Sequence, residues 1–359
     1  MTTFETIAAT IRENRRISPK EALFLFTSPD LLAIGELAAL ANERKNGKNV
    51  FFNVNRHINP TNICVNRCAF CAFYRTAGEN SAYSLTTDEI CRRAMEAKAS
   101  GATEVHIVGG LHPDLPFEFY EKTLSALRDA APGVHIKAFT AVEIDYFARI
   151  SGLSIERVLE RLIDAGLGSM PGGGAEILVE EVRHRICPEK ISGARWLEII
   201  RLAHGAGLKT NATMLYGHLE TVADRVAHME MLRNLQDDTG GFQAFIPLAF
   251  QPENSNLKLD IKGTSGLDDL KTLAIARIFL DNFDHIKAYW VMLGEKIAQV
   301  SLAFGVNDLD GTVIEEKIGH DAGAASPQSL TKNAIIRLIS KADKIPVERD
   351  TLYRPLRTF

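Results

Sequence analysis

Val54-Asn-Arg-His57-Ile-Asn-Pro60-Thr-Asn-Ile-Cys64-Val-Asn-Arg-Cys68-Ala-Phe-Cys71 opens the alternating part of the chain. Val54–Asn59 reads as a short strand. The loop after it carries three cysteines within eight residues, spaced C-x3-C-x2-C. Three thiolates are one short of the four ligands that structural zinc and ordinary iron–sulfur sites take. They suit a 4Fe-4S cluster that keeps one iron open for a substrate or cofactor. Soft thiolates select such iron, and the short spacing lets one loop hold three corners of a cube. A zinc knuckle completed by His57, Cys91 or Cys187 is the competing reading. Cys91 falls in a helical stretch and Cys187 precedes a proline, where a buried apolar thiol is the commoner role.

Beyond this loop, short strands alternate with amphipathic helices. The strand candidates are Glu104–Gly109, Ile136–Val142, Leu167–Met170, Thr210–Tyr216, Gln243–Leu248, Ile286–Met292 and a weaker Val306–Leu309. Helical spacing runs over Thr87–Ser100, Ser154–Ala165, Ser192–Ala206, Val222–Leu235, Leu267–Phe283 and Leu293–Phe304. Thr86 and Glu89 stand at capping-box spacing, and Gly101, Gly166 and Gly207 act as stop signals. Repeated strand–helix units predict an α/β fold with a parallel sheet. A (β/α)8-type TIM barrel, full or partial, fits residues 49–311, since such barrels use ~250 residues. A doubly wound open sheet is the alternative. Residues 1–48 read as an N-terminal helical segment with Asp30 capping one helix. Residues 312–359 read as a C-terminal extension packing on the barrel.

The bulk composition is that of a soluble globular chain: 359 residues, 46% hydrophobic, 24% charged, net charge −4. Without a basic excess, no nucleic-acid partner is expected. The N-terminus lacks the apolar core of a secretion signal, and no apolar run approaches the roughly 18 residues of a membrane span, so no membrane partner is expected either. Five cysteines, three of them clustered, argue against a disulfide framework and for a reducing, cytoplasmic setting.

In a barrel the chemistry gathers where strands end. Gly109 and Gly110 end one strand, where glycine lets backbone come close to a ligand. Thr140 and Glu143 close the next and offer a hydroxyl and a carboxylate for ribose or an amino group. Ser169-Met-Pro-Gly172-Gly173-Gly174-Ala-Glu176 follows, with backbone N–H groups for an anion or an adenine edge. It is neither a P-loop nor a dinucleotide fingerprint. Met214 and Tyr216 are candidates for adenine or substrate contact. Beyond them, His218 and Glu220 lie just past the strand end, with His218 a candidate for binding a carboxylate.

The cysteine loop resembles the signature loop of the radical S-adenosylmethionine (SAM) enzymes. That resemblance places Phe70 beside the adenine and the Gly109-Gly110 pair at the methionine amino group. Longer stretches narrow it: His57–Cys68, Ser169–Glu176, Thr210–His218, Phe245–Asn254, Leu309–Thr312, Glu315–Lys317 and Pro346–Tyr353. From about residue 20 to 353 the chain resembles the aminofutalosine synthase family of the futalosine route to menaquinone. A sister family, the cyclic dehypoxanthine futalosine synthases, shares the cysteine loop and the Pro-Gly-Gly-Gly-Ala-Glu run.

The resemblance implies a radical SAM transferase. It implies a cluster held by Cys64, Cys68 and Cys71, with SAM consumed as co-substrate. The adenosyl radical adds to 3-(1-carboxyvinyloxy)benzoate, an aromatic enol-ether dicarboxylate. Aryl migration and loss of a carboxyl group then give 6-amino-6-deoxyfutalosine, methionine and bicarbonate or CO2. An electron donor such as flavodoxin or ferredoxin is implied. Two substrate carboxylates call for cationic side chains. Arg75, His57, His218, Lys287 and His320 are the candidates, with Asn254 and Gln251 as hydrogen-bonding groups and Phe245 and Phe250 as walls. A non-enzymatic iron–sulfur or zinc-binding barrel is the competing class.

Overall fold

In the computed structural model, which describes residues 2–257 and 263–359, the first strand region divides at Val54. β1 (Asn49–Asn53) and β2 (Asn55–Ile58) belong to different sheets. β2 begins a seven-stranded sheet that continues through β3 (Glu104–Ile107), β4 (His135–Ala138), β5 (Ser169–Met170), β6 (Lys209–Tyr216), β7 (Phe242–Ala249) and β8 (His285–Ile286), in chain order. All neighbours are parallel. Each connection carries helix, as parallel crossovers require. β9 (Asp308–Gly311) and its flanks bond to both edges of the sheet. Ala288 N–H donates to Asp308 O (2.9 Å) beside β8, and His57 N–H donates to Ile314 O (2.8 Å) beside β2. The curled sheet thus meets itself across residues 307–314, which is barrel architecture rather than an open doubly wound sheet.

Two strand candidates give way to helix before their predicted ends. Ile136–Val142 ends as strand at Ala138, and a helix starts at Ala141. Thr140 accepts from Glu143 N–H while the Glu143 carboxylate accepts from Thr140 N–H, a capping box that converts the apolar run to helix. Likewise Ile286–Met292 is strand only to Ile286, and Trp290–Val300 is helical. A short apolar run fits a buried helix as well as a strand. Helices Phe117–Ala130, Ala141–Ser151 and Glu180–Ile186 also emerge beyond those the spacing marked.

Of the three N-terminal helices, Phe4–Arg12, Pro19–Thr27 and Leu31–Asn46, the second packs on Val222–Thr239 and Gly266–Phe279, the third packs on Gly266–Phe279, and the first packs on the other two. Asp30 caps the third by accepting from Ala33 N–H (3.0 Å). At the other end of the chain, β10 (Ile345–Arg349) pairs with β1, and β11 (Pro355–Thr358) pairs with β10. The small sheet β11-β10-β1-β9 closes the end of the barrel where strands begin. There Arg349 Nε bonds Asp308 Oδ2 (2.9 Å), and the Tyr353 ring stacks on His285 at 3.8 Å. Above this floor lie two more buried pairs, Lys137–Glu104 and Lys287–Asp310, each at 2.9 Å. Removing one partner of such a pair strands a charge and costs about 3–5 kcal/mol. Residues 316–322 of the same extension turn to the opposite end and line the mouth.

Candidate active site

A cavity of ≈ 300 Å³ opens where the barrel strands end. That is the low end of ligand-pocket volumes. The cysteine loop forms one side, with Cys64, Cys68, Cys71 and Phe70 all at its surface. Gly109, Gly110, Thr140, Glu143, Gly172, Gly173, Gly174 and Glu176 also line it. Residues far apart in sequence are therefore brought to one place by the strand ends.

Six of the candidates lie elsewhere. Strand alternation excludes Met214: on β6, Asn211, Thr213 and Leu215 face the cavity, so Met214 and Tyr216 face the helices. The Tyr216 hydroxyl bonds Asp269 (2.8 Å), and the same alternation on β7 turns Phe245 outward toward Phe283. Ser169 is fully buried with its hydroxyl 2.8 Å from His135 Nε2, away from the cavity lining. His218 folds into its own turn. Nε2 donates to Leu215 O (3.0 Å) while Nδ1 accepts from Leu219 N–H (2.7 Å), and burial lowers its pKa, so it is a neutral structural group. Arg75 staples the end of the cysteine loop through the carbonyls of Ala72 (2.7 Å) and Tyr74 (2.8 Å) and Ser81 Oγ (2.6 Å). It lines an adjoining, polar outer cavity of ≈ 560 Å³ with His320, Asn254 and Asp321, which shares Cys71, Ala72 and Tyr74 with the main one.

Of the other carboxylate-binding candidates, Lys287 is buried against Asp310. His320 is held by Glu316 (3.1 Å), which pushes its pKa up to about 9. Gln251 and Phe250 line the main cavity, and His57 is the one proposed catalytic side chain that does so.

The glycines serve the loop before any ligand. A Cβ on Gly110 would lie 2.2 Å from Ile63 O, and one on Gly172 would lie 2.7 Å from Asn211 O. Both let strand ends pack directly on neighbouring backbone, and Gly110 N–H donates to Thr61 O (2.8 Å) to fix the loop. Glu143 is 5% exposed and accepts from Thr140 N–H (2.7 Å) and Gly109 N–H (3.3 Å). Burial raises its pKa to about 7.

Lys190 escaped the sequence reading because it stands in a polar loop that carries no motif. It lines the cavity, bonds Glu176 and stands 5.0 Å above the Phe70 ring centre. Glu176 itself adopts φ +46°, a strained conformation for a side-chain-bearing residue that clusters at functional sites. Polar His106, Asn211, Thr213, Asp310 and Glu316 complete the interior. Alternation along β3 and β6 is the signal that finds the first three.

The donor set fits a cluster better than a single ion. Among the described residues, no three His, Cys, Asp or Glu side chains converge as one metal ion needs. A cubane instead spreads its thiolates over separate iron corners. Cys187 is buried and outside the cavity lining, as expected of an inert thiol. Burial pushes the Cys68 thiol up to about 12 and raises Cys71, with Lys190 opposing both, so a metal must displace protons to bind.

Residues 58–232 match the radical SAM superfamily, and residues 239–358 match the CofH/MqnC C-terminal region. The chain is 49% identical to the aminodeoxyfutalosine synthase of Thermus thermophilus, over 98% of this chain and 96% of that one. It is 44% identical to a 5-amino-6-(D-ribitylamino)uracil–L-tyrosine 4-hydroxyphenyl transferase of Methanopyrus kandleri, over 87% and 86% respectively. The cyclic dehypoxanthine futalosine synthase of Streptomyces coelicolor is more distant, at 41% over 95% and 86%. In fold, the crystal structure of methylornithine synthase matches at a TM-score of 0.75 over 95% of this chain and 97% of that one, with 16% identity. A cysteine loop at the mouth of a curled parallel sheet, in a chain this close to its relatives from end to end, places the protein in the radical SAM superfamily, within the aminodeoxyfutalosine synthase family.

Proposed function

We propose that the chain joins the adenosine part of SAM to 3-(1-carboxyvinyloxy)benzoate, giving 6-amino-6-deoxyfutalosine, methionine and bicarbonate or CO2. The observation that carries this reading is the 49% identity to an aminodeoxyfutalosine synthase across nearly the whole chain. Cys64, Cys68 and Cys71 would hold a 4Fe-4S cluster. When bound, that cluster supplies the electron that cleaves SAM to methionine and an adenosyl radical, and the chemistry is the cofactor's.

The protein's own part is to bind, orient and keep the site dry. Phe70, the Gly109-Gly110 strand end, Thr140, Glu143 and the Gly172–Glu176 loop are the candidates to hold SAM. Val108, Leu215, Ile246, Leu248, Phe250 and Met292 make the remaining wall largely apolar. Such a wall suits an aromatic ring and excludes water. Glu143 shares its two backbone donors and is close to half protonated near neutral pH, so it can accept or donate to a ribose hydroxyl. The reductant is proposed to be a flavodoxin or ferredoxin.

The test is an anaerobic assay with adenosine-labelled SAM and a reductant. The enol-ether benzoate should yield a labelled nucleoside carrying the aryl group. Release of free 5′-deoxyadenosine alone would favour the cyclase. Product from tyrosine and 5-amino-6-(D-ribitylamino)uracil would favour the hydroxyphenyl transferase. Tight metal binding with SAM left intact would favour the non-enzymatic class.

A further inference from the structure

The cavity is not uniformly apolar. His57 on β2 and Asn211 on β6 stand four strands apart in the curled sheet and face its interior. Both are at least nine-tenths buried, at 5% and 3% exposure. Among the described residues lining the cavity, His57 Nε2 and Asn211 Oδ1 are the buried side-chain polar atoms without a hydrogen-bond partner. An unpaired polar atom in a folded interior is costly, and two in one cavity point to a ligand that pairs with them.

We infer that His57 and Asn211 form the subsite that receives the ring carboxylate of the aromatic substrate. This rests on the dicarboxylate reading above. The aromatic ring would lie against Val108, Ile246 and Leu248, which continue the wall from these two residues. Asn211 can turn either its oxygen or its NH2 to the ligand.

His57 stacks on His106 with ring centres 4.5 Å apart. Burial holds its pKa below the usual value, so the ring is neutral at pH 7. Glu316, Asp310 and Glu104 act to raise that pKa and Lys137 acts to lower it, while burial keeps the neighbouring His106 ring neutral. Asp310 and Glu316 are already paired, with Lys287 (2.9 Å) and His320 (3.1 Å). An arriving carboxylate adds the anion that tips His57 to imidazolium, drawing one proton from solvent. When the ligand leaves, the proton returns.

Calorimetry on the cluster-loaded enzyme with SAM and no reductant tests this. The probe is 3-(carboxymethoxy)benzoate, a dicarboxylate without the reacting double bond, titrated in two buffers of different ionisation enthalpy. Wild type should take up about one proton per site. Phenoxyacetate, which lacks the ring carboxylate, should bind without uptake, a comparison that needs no variant. His57→Gln should weaken the dicarboxylate about tenfold, lose the uptake and bind phenoxyacetate as wild type does. Asn211→Ala should weaken the dicarboxylate several-fold and keep the uptake. Equal dicarboxylate affinity in wild type and His57→Gln, or uptake that persists in that variant, overturns the inference. If the enzyme converts the enol ether but the two probes show the same proton balance, the subsite assignment fails alone. An enzyme that neither converts the enol ether nor binds the dicarboxylate sinks the substrate reading with it.

Discussion

The ammonium of Lys190 sits 5.0 Å from the centre of the Phe70 ring, with Glu176 as its counter-charge. Its loop is clasped to the cysteine loop. Arg67 N–H donates to Glu189 Oε2 (2.6 Å), and Ala69 N–H donates to Ile186 O (2.9 Å). Lys190 therefore moves with the thiols and holds the positive charge that most favours ionised Cys68. Burial alone would lower its own pKa, but Cys68 and Glu176 outweigh burial and raise it.

Lys190→Met should make the cluster harder to reduce, because a positive charge beside it is gone. Potentiometric EPR should show a more negative midpoint, whereas Lys190→Arg should restore it. Activity or cluster occupancy should fall about 10- to 100-fold, the usual cost of losing a group that supports metal ligands. An unchanged midpoint in a fully loaded Lys190→Met protein would rule this role out.

Cysteine variants should separate the cluster from a zinc knuckle. Cys68→Ala should lose iron and sulfide from the anaerobically purified protein, together with SAM cleavage. Cys187→Ala should keep both, since Cys187 is buried outside the cavity lining. Loss of metal in Cys187→Ala would make it a ligand and revive the knuckle.

Gly110→Ala should displace the cysteine loop, because the added Cβ meets Ile63 O at 2.2 Å. Gly109→Ala should be milder, its Cβ 3.1 Å from Thr61 O. Cluster content should follow that order while the circular dichroism of the barrel stays the same. Equal loading in both variants would contradict the packing role.

Glu143 gives a pH dependence of stability. Its pKa in the folded protein is raised by burial from 4.5 to about 7. The folded state therefore holds its proton more tightly than the unfolded one. Its contribution is fully present below pH 4.5 and is lost as pH rises through about 7. At about 1.4 kcal/mol per pH unit that is ~3 kcal/mol. Urea unfolding between these limits should show the loss in wild type and a flatter profile in Glu143→Gln. Parallel profiles would show that Glu143 titrates normally.

Arg349→Met should destabilise the protein by about 3 kcal/mol, by leaving Asp308 buried with only the more distant Lys287 (3.9 Å) as cation. Adding Asp308→Asn should recover part of the loss in chemical unfolding. A double variant no better than the single one would show that the floor depends on packing rather than on this ion pair.

The cysteine loop, the alternating strands and the glycine-rich strand ends were legible because each rests on local chemistry. Spacing places three thiols on one loop, and Thr86 with Glu89 announces a capping box. The side of the sheet was harder to read. Met214 and Asn211 lie three residues apart on one strand, yet only Asn211 faces the cavity. A one-residue error in phase exchanges inside for outside. Arg75 and His218 have the right chemistry for a carboxylate, but neighbouring carbonyls and N–H groups use them first. Lys190 lacks any motif, and no pattern within the chain links it to Cys68.

By itself the sequence determined the gathering of three thiols on one loop, the parallel α/β architecture and the run of strand ends proposed to meet a cofactor, because covalent spacing and side-chain period are properties of neighbours along the chain. Tertiary structure alone decided which polar groups face the cavity, that Lys190 stands over Phe70, and that the C-terminal extension seals the barrel floor with Arg349 while lining the mouth with Glu316. Those outcomes depend on strand register and on burial between residues tens to hundreds of positions apart, which no local pattern encodes.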